Sequence, residues 1–209
     1  MNDIIASRNL VTLAENYCLH FHAGQKRKGG NQDPYHVHPF GVRDILIRFG
    51  YDDPETQAIA LLHDTIEDTV VQHNKSDIEN RFGPLIYEGV YALSKNTPGK
   101  YEKGFTPLFH DLGVPFVDKN GLLTPQAYKL RIMFSRSTIK RIKIADMIHN
   151  TTTLPNLSKR GIERKLQDAD TFYIPMGKVI APIMVKELIE NVENYRRSSH
   201  YRELFLGGC

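Results

Sequence analysis

Apolar residues in this chain recur three and four positions apart, and its 209 residues contain no convincing run of strict apolar–polar alternation. Leu10, Leu13, Ala14, Tyr17, Cys18 and Phe21 mark one buried face of a first helix, which Gly24 ends. A chain patterned in this way hides its apolar surface by packing helices against helices, so the fold class expected is all-α.

Turn and cap residues divide the rest. A loop rich in Lys, Arg, Gly and Asn runs from Gln25 to Tyr35. Pro39 opens a second helix that reaches Phe49 and stops at Gly50. Asp53-Pro54 opens a third, whose Ala58, Ile59, Leu61 and Leu62 lead straight into the sequence HDTIEDT. Ser76 and Glu79 read as the capping box of a short fourth helix closed by Gly83, and Pro84 starts a fifth that ends near Leu93. Residues 94–123 break the pattern with four glycines and three prolines. We expect a long irregular insertion there, with a small hairpin around Val117–Gly121. Thr124-Pro125 begins a long helix towards Asn150, broken near Ser135–Thr138. A final helix spans about 172–197, with Ile180, Ile183, Met184, Leu188 and Ile189 facing inward and Pro182 bending it. The whole is expected to be one domain, residues 1–209.

Composition excludes some classes. No apolar run approaches the roughly 20 residues of a membrane span, and the first residues lack the basic and apolar parts of a secretory signal, so a cytoplasmic protein is expected. Two cysteines, Cys18 and Cys209, without a C-x-x-C pair argue against a thiolate zinc site. A net charge of +3 is too mild to argue for nucleic acid and suits a small anionic ligand.

Four side chains form a candidate metal set. His38 precedes Pro39, His63 and Asp64 are adjacent on the third helix, and Asp146 lies within the apolar-spaced helix Ile142–Ile148. Two imidazoles and two carboxylates suit Mn²⁺, Fe²⁺, Co²⁺ or Zn²⁺ better than Ca²⁺ or Mg²⁺. Glu67 and Asp68 follow one helical turn later on the same side, placed to handle a proton or position a water. Taken singly, each has a plainer reading: His38 as a structural histidine, Glu67 and Asp68 as a solvated face, Asp146 as the partner of Lys143.

Three ordered segments, Tyr35-His-Val-His-Pro-Phe-Gly-Val42, Ala60-Leu-Leu-His-Asp-Thr-Ile-Glu-Asp-Thr69 and Ile142-Lys-Ile-Ala-Asp-Met-Ile-His-Asn150, resemble the hydrolase domain of the Rel/Spo alarmone enzymes and their small single-domain relatives. The resemblance covers roughly residues 5–155. It implies an HD-type helical bundle that removes pyrophosphate from the 3′ position of guanosine tetra- or pentaphosphate, typically with Mn²⁺. It also implies that His38, His63, Asp64 and Asp146 are metal ligands and that Glu67 and Asp68 are the catalytic acidic pair. Arg27, Lys28, Lys143 and Asn150 would lie on the substrate side. With no room for a synthetase domain in 209 residues, such a chain would only degrade. Departures are the longer insertion at 94–123, which could overhang the site, and two further histidines, His36 and His149, beside the motif positions. Competing readings are an HD phosphatase or phosphodiesterase of another nucleotide, and a nucleotide-sensing module without turnover; the presence of both Glu67 and Asp68 argues against the latter.

Overall fold

The computed structural model describes residues 2–27, 32–68, 75–95 and 116–207. Within them every regular element is a helix. Twelve α-helices run in the order α1 (Asn2–Phe21), α2 (Val37–Arg48), α3 (Pro54–Leu62), α4 (Thr65–Asp68), α5 (Lys75–Phe82), α6 (Pro84–Leu93), α7 (Pro125–Phe134), α8 (Ser137–Thr151), α9 (Lys159–Asp168), α10 (Ile174–Ile180), α11 (Pro182–Arg197) and α12 (Ser199–Phe205). The only extended pairing among the described residues is two isolated bridges, Lys26 with Pro34 and Val117 with Leu123.

The caps written in the sequence set several boundaries. The Asp53 carboxylate accepts from the Thr56 amide at 2.9 Å, and the Thr124 hydroxyl accepts from the Ala127 amide at 3.2 Å. Ser158 caps α9 in the same way.

Helix α8 is the axis of the bundle. Residues 142–148 are buried without interruption, so neighbours surround the helix on all sides. It packs against α2, α3, α6, α7, α10 and α11. Lys143 and Asp146 are the two charges in that run and sit one turn apart. Asp146 is thereby carried into the middle of the molecule, opposite the ends of α2 and α3.

Three expectations need correction. His63 and Asp64 do not lie on a continuous helix: α3 ends at Leu62, and the pair occupies the turn before α4. The His63 ring bonds back to the Ala60 carbonyl there. The final helix is not a single element from 172 to 197. A π-helical turn, Ala169–Tyr173, leads into α10, and Ala181 (φ −149°, ψ 66°) separates α10 from α11. Helical phase is lost across Ala181, so Met184 and Leu188 are buried while Ile183 is 71% exposed, against the inward stripe expected. Finally, α2 starts two residues before Pro39, placing His38 inside its first turn.

The break at Ala181 folds α11 back on α10. A Cβ added at Gly177 would lie 2.5 Å from Val185 Cγ2 and 2.8 Å from its Cβ. Valine is stiff at χ1 and cannot step aside. Gly177→Ala is therefore expected to lower stability by about 1–3 kcal/mol despite alanine's better helix propensity. Urea denaturation checks this, and an unchanged or higher midpoint would contradict it.

Two tethers fix the chain just after α6, where the insertion begins. The Tyr128 hydroxyl donates to the Leu93 carbonyl at 2.9 Å, and the buried Arg131 guanidinium donates to the Ser94 carbonyl. Residues 96–115, most of the insertion, lie outside the described residues. Its far end contains the small hairpin: Asp118 N–H donates to Leu122 O at 2.7 Å, and Gly121 turns the chain at φ +74°.

Candidate active site

Four of the sequence-selected side chains converge where α2, the α3–α4 turn and α8 meet. His38 Nε2 lies 3.1 Å from Asp146 Oδ1 and 3.5 Å from Asp64 Oδ2. His63 Nε2 lies 3.3 Å from Asp64 Oδ2 and 3.9 Å from Asp146 Oδ1. Ligand atoms of His38, His63 and Asp146 all fall within 4.8 Å of one another. The three residues are buried, and Asp64 is nearly so.

His63 shows what this cluster fits. Its Nδ1 donates to the Ala60 carbonyl at 2.7 Å, which leaves Nε2 as the nitrogen that faces the carboxylates. That Nε2 is buried and has no hydrogen-bond partner. An imidazole nitrogen aimed at two carboxylates needs a positive charge between them, a proton when no ion is bound or a metal ion in its place. The mixed nitrogen and oxygen donors fit a divalent transition metal.

Electrostatics agree with the geometry. Burial pushes His38 down to about 4, although Asp146 and Asp64 pull the other way, so its ring is neutral near pH 7. Burial alone would also lower His63, but Asp64 and Asp146 outweigh it and raise it. Burial opposes ionisation of both carboxylates. Even so, His63 and His38 hold Asp64, and Lys143 and His38 hold Asp146, well below the usual carboxylate range. The site therefore presents two carboxylates and a neutral imidazole, the forms that bind a metal.

The remaining candidates are placed less uniformly. Glu67 is held by Lys95: its Oε2 accepts from the Lys95 amide at 2.8 Å, and the Lys95 ammonium lies 3.7 Å from Oε1. Asp68 ends α4, and its side chain lies outside the described residues, as does Lys28. Arg27 donates to the Asn150 carboxamide oxygen at 3.1 Å and lies over the Tyr35 ring. Asn150 in turn donates to Asp146 Oδ1 at 2.5 Å. Lys143 does not reach outward: its buried ammonium sits 2.5 Å from Asp146 Oδ2. His36 is half-buried beside Phe40.

Three contributors were missed by reading motifs alone. Tyr35 stood in the first motif without a role, yet its hydroxyl donates to Asp64 Oδ2 at 2.8 Å. Lys95 falls in the stretch expected to be an irregular insertion. Lys165 comes from α9, a helix not anticipated because only Ile162 and Leu166 of its ten residues are buried. Burial pushes the Lys165 ammonium down to about 8; Asp146 pulls it up, while Lys143, Lys95 and Arg27 push it down further. Arg27, Lys95 and Lys165 thus share one cationic neighbourhood around the carboxylates. Ser158 as cap and the Ile162–Leu166 spacing were the available signal for α9.

A sequence model of the HD domain matches residues 14–178. The chain belongs to the HD domain family. The match extends past Asn150 through α9 into α10, beyond the stretch that the three motifs span. Among its relatives, the GTP pyrophosphokinase rsh of Brucella ovis is 32% identical over 195 residues, covering 92% of this chain and 23% of the relative. The GTP pyrophosphokinase of Streptomyces coelicolor is 31% identical over 175 residues, covering 82% and 18%. The guanosine-3′,5′-bis(diphosphate) 3′-pyrophosphohydrolase of Borreliella burgdorferi is 30% identical over 175 residues, covering 82% and 23%. The HD domain described here thus spans less than a quarter of each of these relatives. In fold it matches a solved structure described as a metazoan ortholog of SpoT that hydrolyzes ppGpp, with a TM-score of 0.68 and 22% identity, covering 89% of this chain and 95% of that one. No helix among the described residues is long and apolar enough to cross a membrane.

Proposed function

We propose that this HD domain hydrolyses a guanosine nucleotide carrying a 3′-diphosphate, releasing pyrophosphate, with Mn²⁺ as its metal. The observation that carries the reading is the buried, partnerless His63 Nε2 facing Asp64 and Asp146 beside His38. The names of the Borreliella relative and of the SpoT ortholog support the choice of substrate. His38, His63, Asp64 and Asp146 are the assigned metal ligands, and Glu67 and Asp68 the assigned acidic pair.

His38, His63, Asp64 and Asp146 would hold a divalent ion, which would supply Lewis acidity towards water and phosphoryl oxygens. The chain's own groups do the rest. Glu67, held by the Lys95 amide, takes up or positions the proton of the attacking water. The water oxygen bonds to the phosphorus joined to O3′, and the phosphorus–O3′ bond breaks. The nucleotide regains a 3′-hydroxyl, and pyrophosphate departs. Arg27, Lys95 and Lys165 lie close enough to influence one another electrostatically, and their charges would neutralise the oxygens of a diphosphate. Lys143, assigned to the substrate side, also neutralises the buried Asp146.

Purified protein with Mn²⁺ and guanosine tetraphosphate should release GDP and pyrophosphate. Glu67→Ala should keep its metal and lose about 10²–10⁴-fold in kcat. Bound metal without either product would overturn the substrate assignment, and full activity in Glu67→Ala would overturn the role of Glu67.

A further inference from the structure

His149 is the histidine that neither the ligand set nor the acidic pair absorbs. Its Nδ1 faces Nδ1 of His38 at 3.0 Å, with ring centroids 4.8 Å apart and planes at 69°. The two ligand histidines are therefore supported unequally. His63 is oriented from within its own segment, by the Ala60 carbonyl three residues back. His38 is oriented from another helix, by an imidazole on α8.

A carbonyl can only accept, so the tautomer of His63 is fixed. A second imidazole can donate or accept, so the state of His38 depends on which nitrogen of His149 carries hydrogen. For His38 to offer Nε2 to a metal, its hydrogen must sit on Nδ1, and a group with a free lone pair must receive it.

The packing around His149 is built for that ring. Gly41 lies on α2, three residues after His38, and a Cβ there would fall 2.2 Å from both Cδ2 and Nε2 of His149. A glycine inside a helix is less favourable than an alanine. Here its absent side chain is the space that lets His149 approach His38.

We propose that His149 is a positioning residue for the metal site. Its Nδ1 accepts from His38 Nδ1–H, which leaves His38 Nε2 bare for the ion, and Gly41 is the clearance that holds His149 in place. The inference rests on His38 being a metal ligand.

The test uses Zn²⁺ as a diamagnetic probe on the full chain with ¹⁵N-labelled histidine. In the zinc-loaded protein the two Nδ1 nuclei should show a scalar coupling across the hydrogen bond, and His149 should carry its hydrogen on Nε2. His149→Phe keeps a ring of similar size and removes the acceptor, and zinc affinity measured by chelator competition should fall about 10–100-fold. His149→Asn, whose carboxamide oxygen can stand where Nδ1 stood, should recover much of that loss. Gly41→Ala should weaken zinc binding in the same direction, although alanine by itself favours the helix. A ring with a purely space-filling role predicts the opposite order, with Phe retaining affinity and Asn losing it. Zinc uptake without the coupling, or wild-type affinity in His149→Phe, overturns the inference while leaving the ligand set intact. If His149→Phe does not fold, the coupling in the wild-type protein decides. No zinc uptake by the wild type overturns the ligand assignment, and this inference falls with it.

Discussion

Asp64→Ala is expected to lose bound metal and turnover together while its far-UV circular dichroism keeps the helical signal. The Asp64 carboxylate lies within 3.5 Å of both imidazole Nε2 atoms and accepts the Tyr35 hydroxyl. Changes in groups that merely support a metal ligand cost about 10–100-fold in affinity. Removal of the carboxylate itself should exceed about 100-fold, read by chelator competition. The fold should survive because the residue sits at the turn between two helices, outside the apolar core. The comparison with Glu67→Ala is decisive: that variant should keep its metal and lose only turnover. An active, metal-free Asp64→Ala protein would sink the proposed mechanism. A pH dependence accompanies the wild-type affinity. His63 holds its proton to higher pH than an ordinary histidine when no ion is present, and an ion must displace that proton. Affinity should therefore rise with pH through that raised value and level off above it. An affinity that is flat between pH 5 and 8 would show that His63 is not being displaced.

The parts of this site that were legible in the sequence are those where chemistry and local order coincide. His63 and Asp64 are neighbours in the chain, and their side chains stay together, with His63 Nε2 3.3 Å from Asp64 Oδ2. His38 and Asp146 were legible by their motif flanks, and the all-round burial of α8 explains why the segment around Asp146 reads as nearly unbroken apolar sequence. Contacts that depend on tertiary placement left little trace. Tyr35 reaches Asp64 only because the Lys26–Pro34 bridge closes the loop before α2. Lys95 reaches Glu67 only because Tyr128 and Arg131 hold the end of α6. Lys165 arrives on a helix whose polar surface hides its short apolar stripe. The inward face expected for 172–197 failed for a different reason. One residue, Ala181, leaves helical φ/ψ, and every prediction of phase carried past it is void.

Lys143→Met is expected to destabilise the metal-free protein by about 3–5 kcal/mol, because it leaves the Asp146 carboxylate buried without its nearest cation. Both partners are about 4% exposed, so solvent screens the pair little. The sign of each contribution follows from its shift. Asp146 is depressed when folded, so its stabilisation is present above the ordinary carboxylate range and is lost as pH falls through the depressed value. Lys143 is raised, so its stabilisation holds below the ordinary lysine range and is lost as pH climbs through the raised value. Near pH 7 both contributions are full, and the variant should show its whole deficit there. A divalent ion on Asp146 would supply the missing positive charge. Binding to the folded state alone also stabilises it. The gap in melting temperature between wild type and Lys143→Met should therefore be wide in chelator and narrower in saturating Mn²⁺. The double variant Lys143→Met with Asp146→Leu should recover stability in chelator, since an apolar pair replaces a buried ionic one. It should gain nothing from metal. Equal melting temperatures in chelator would show that the pair is not a buried ionic contact, and a gap unchanged by Mn²⁺ would remove Asp146 from the ligand set.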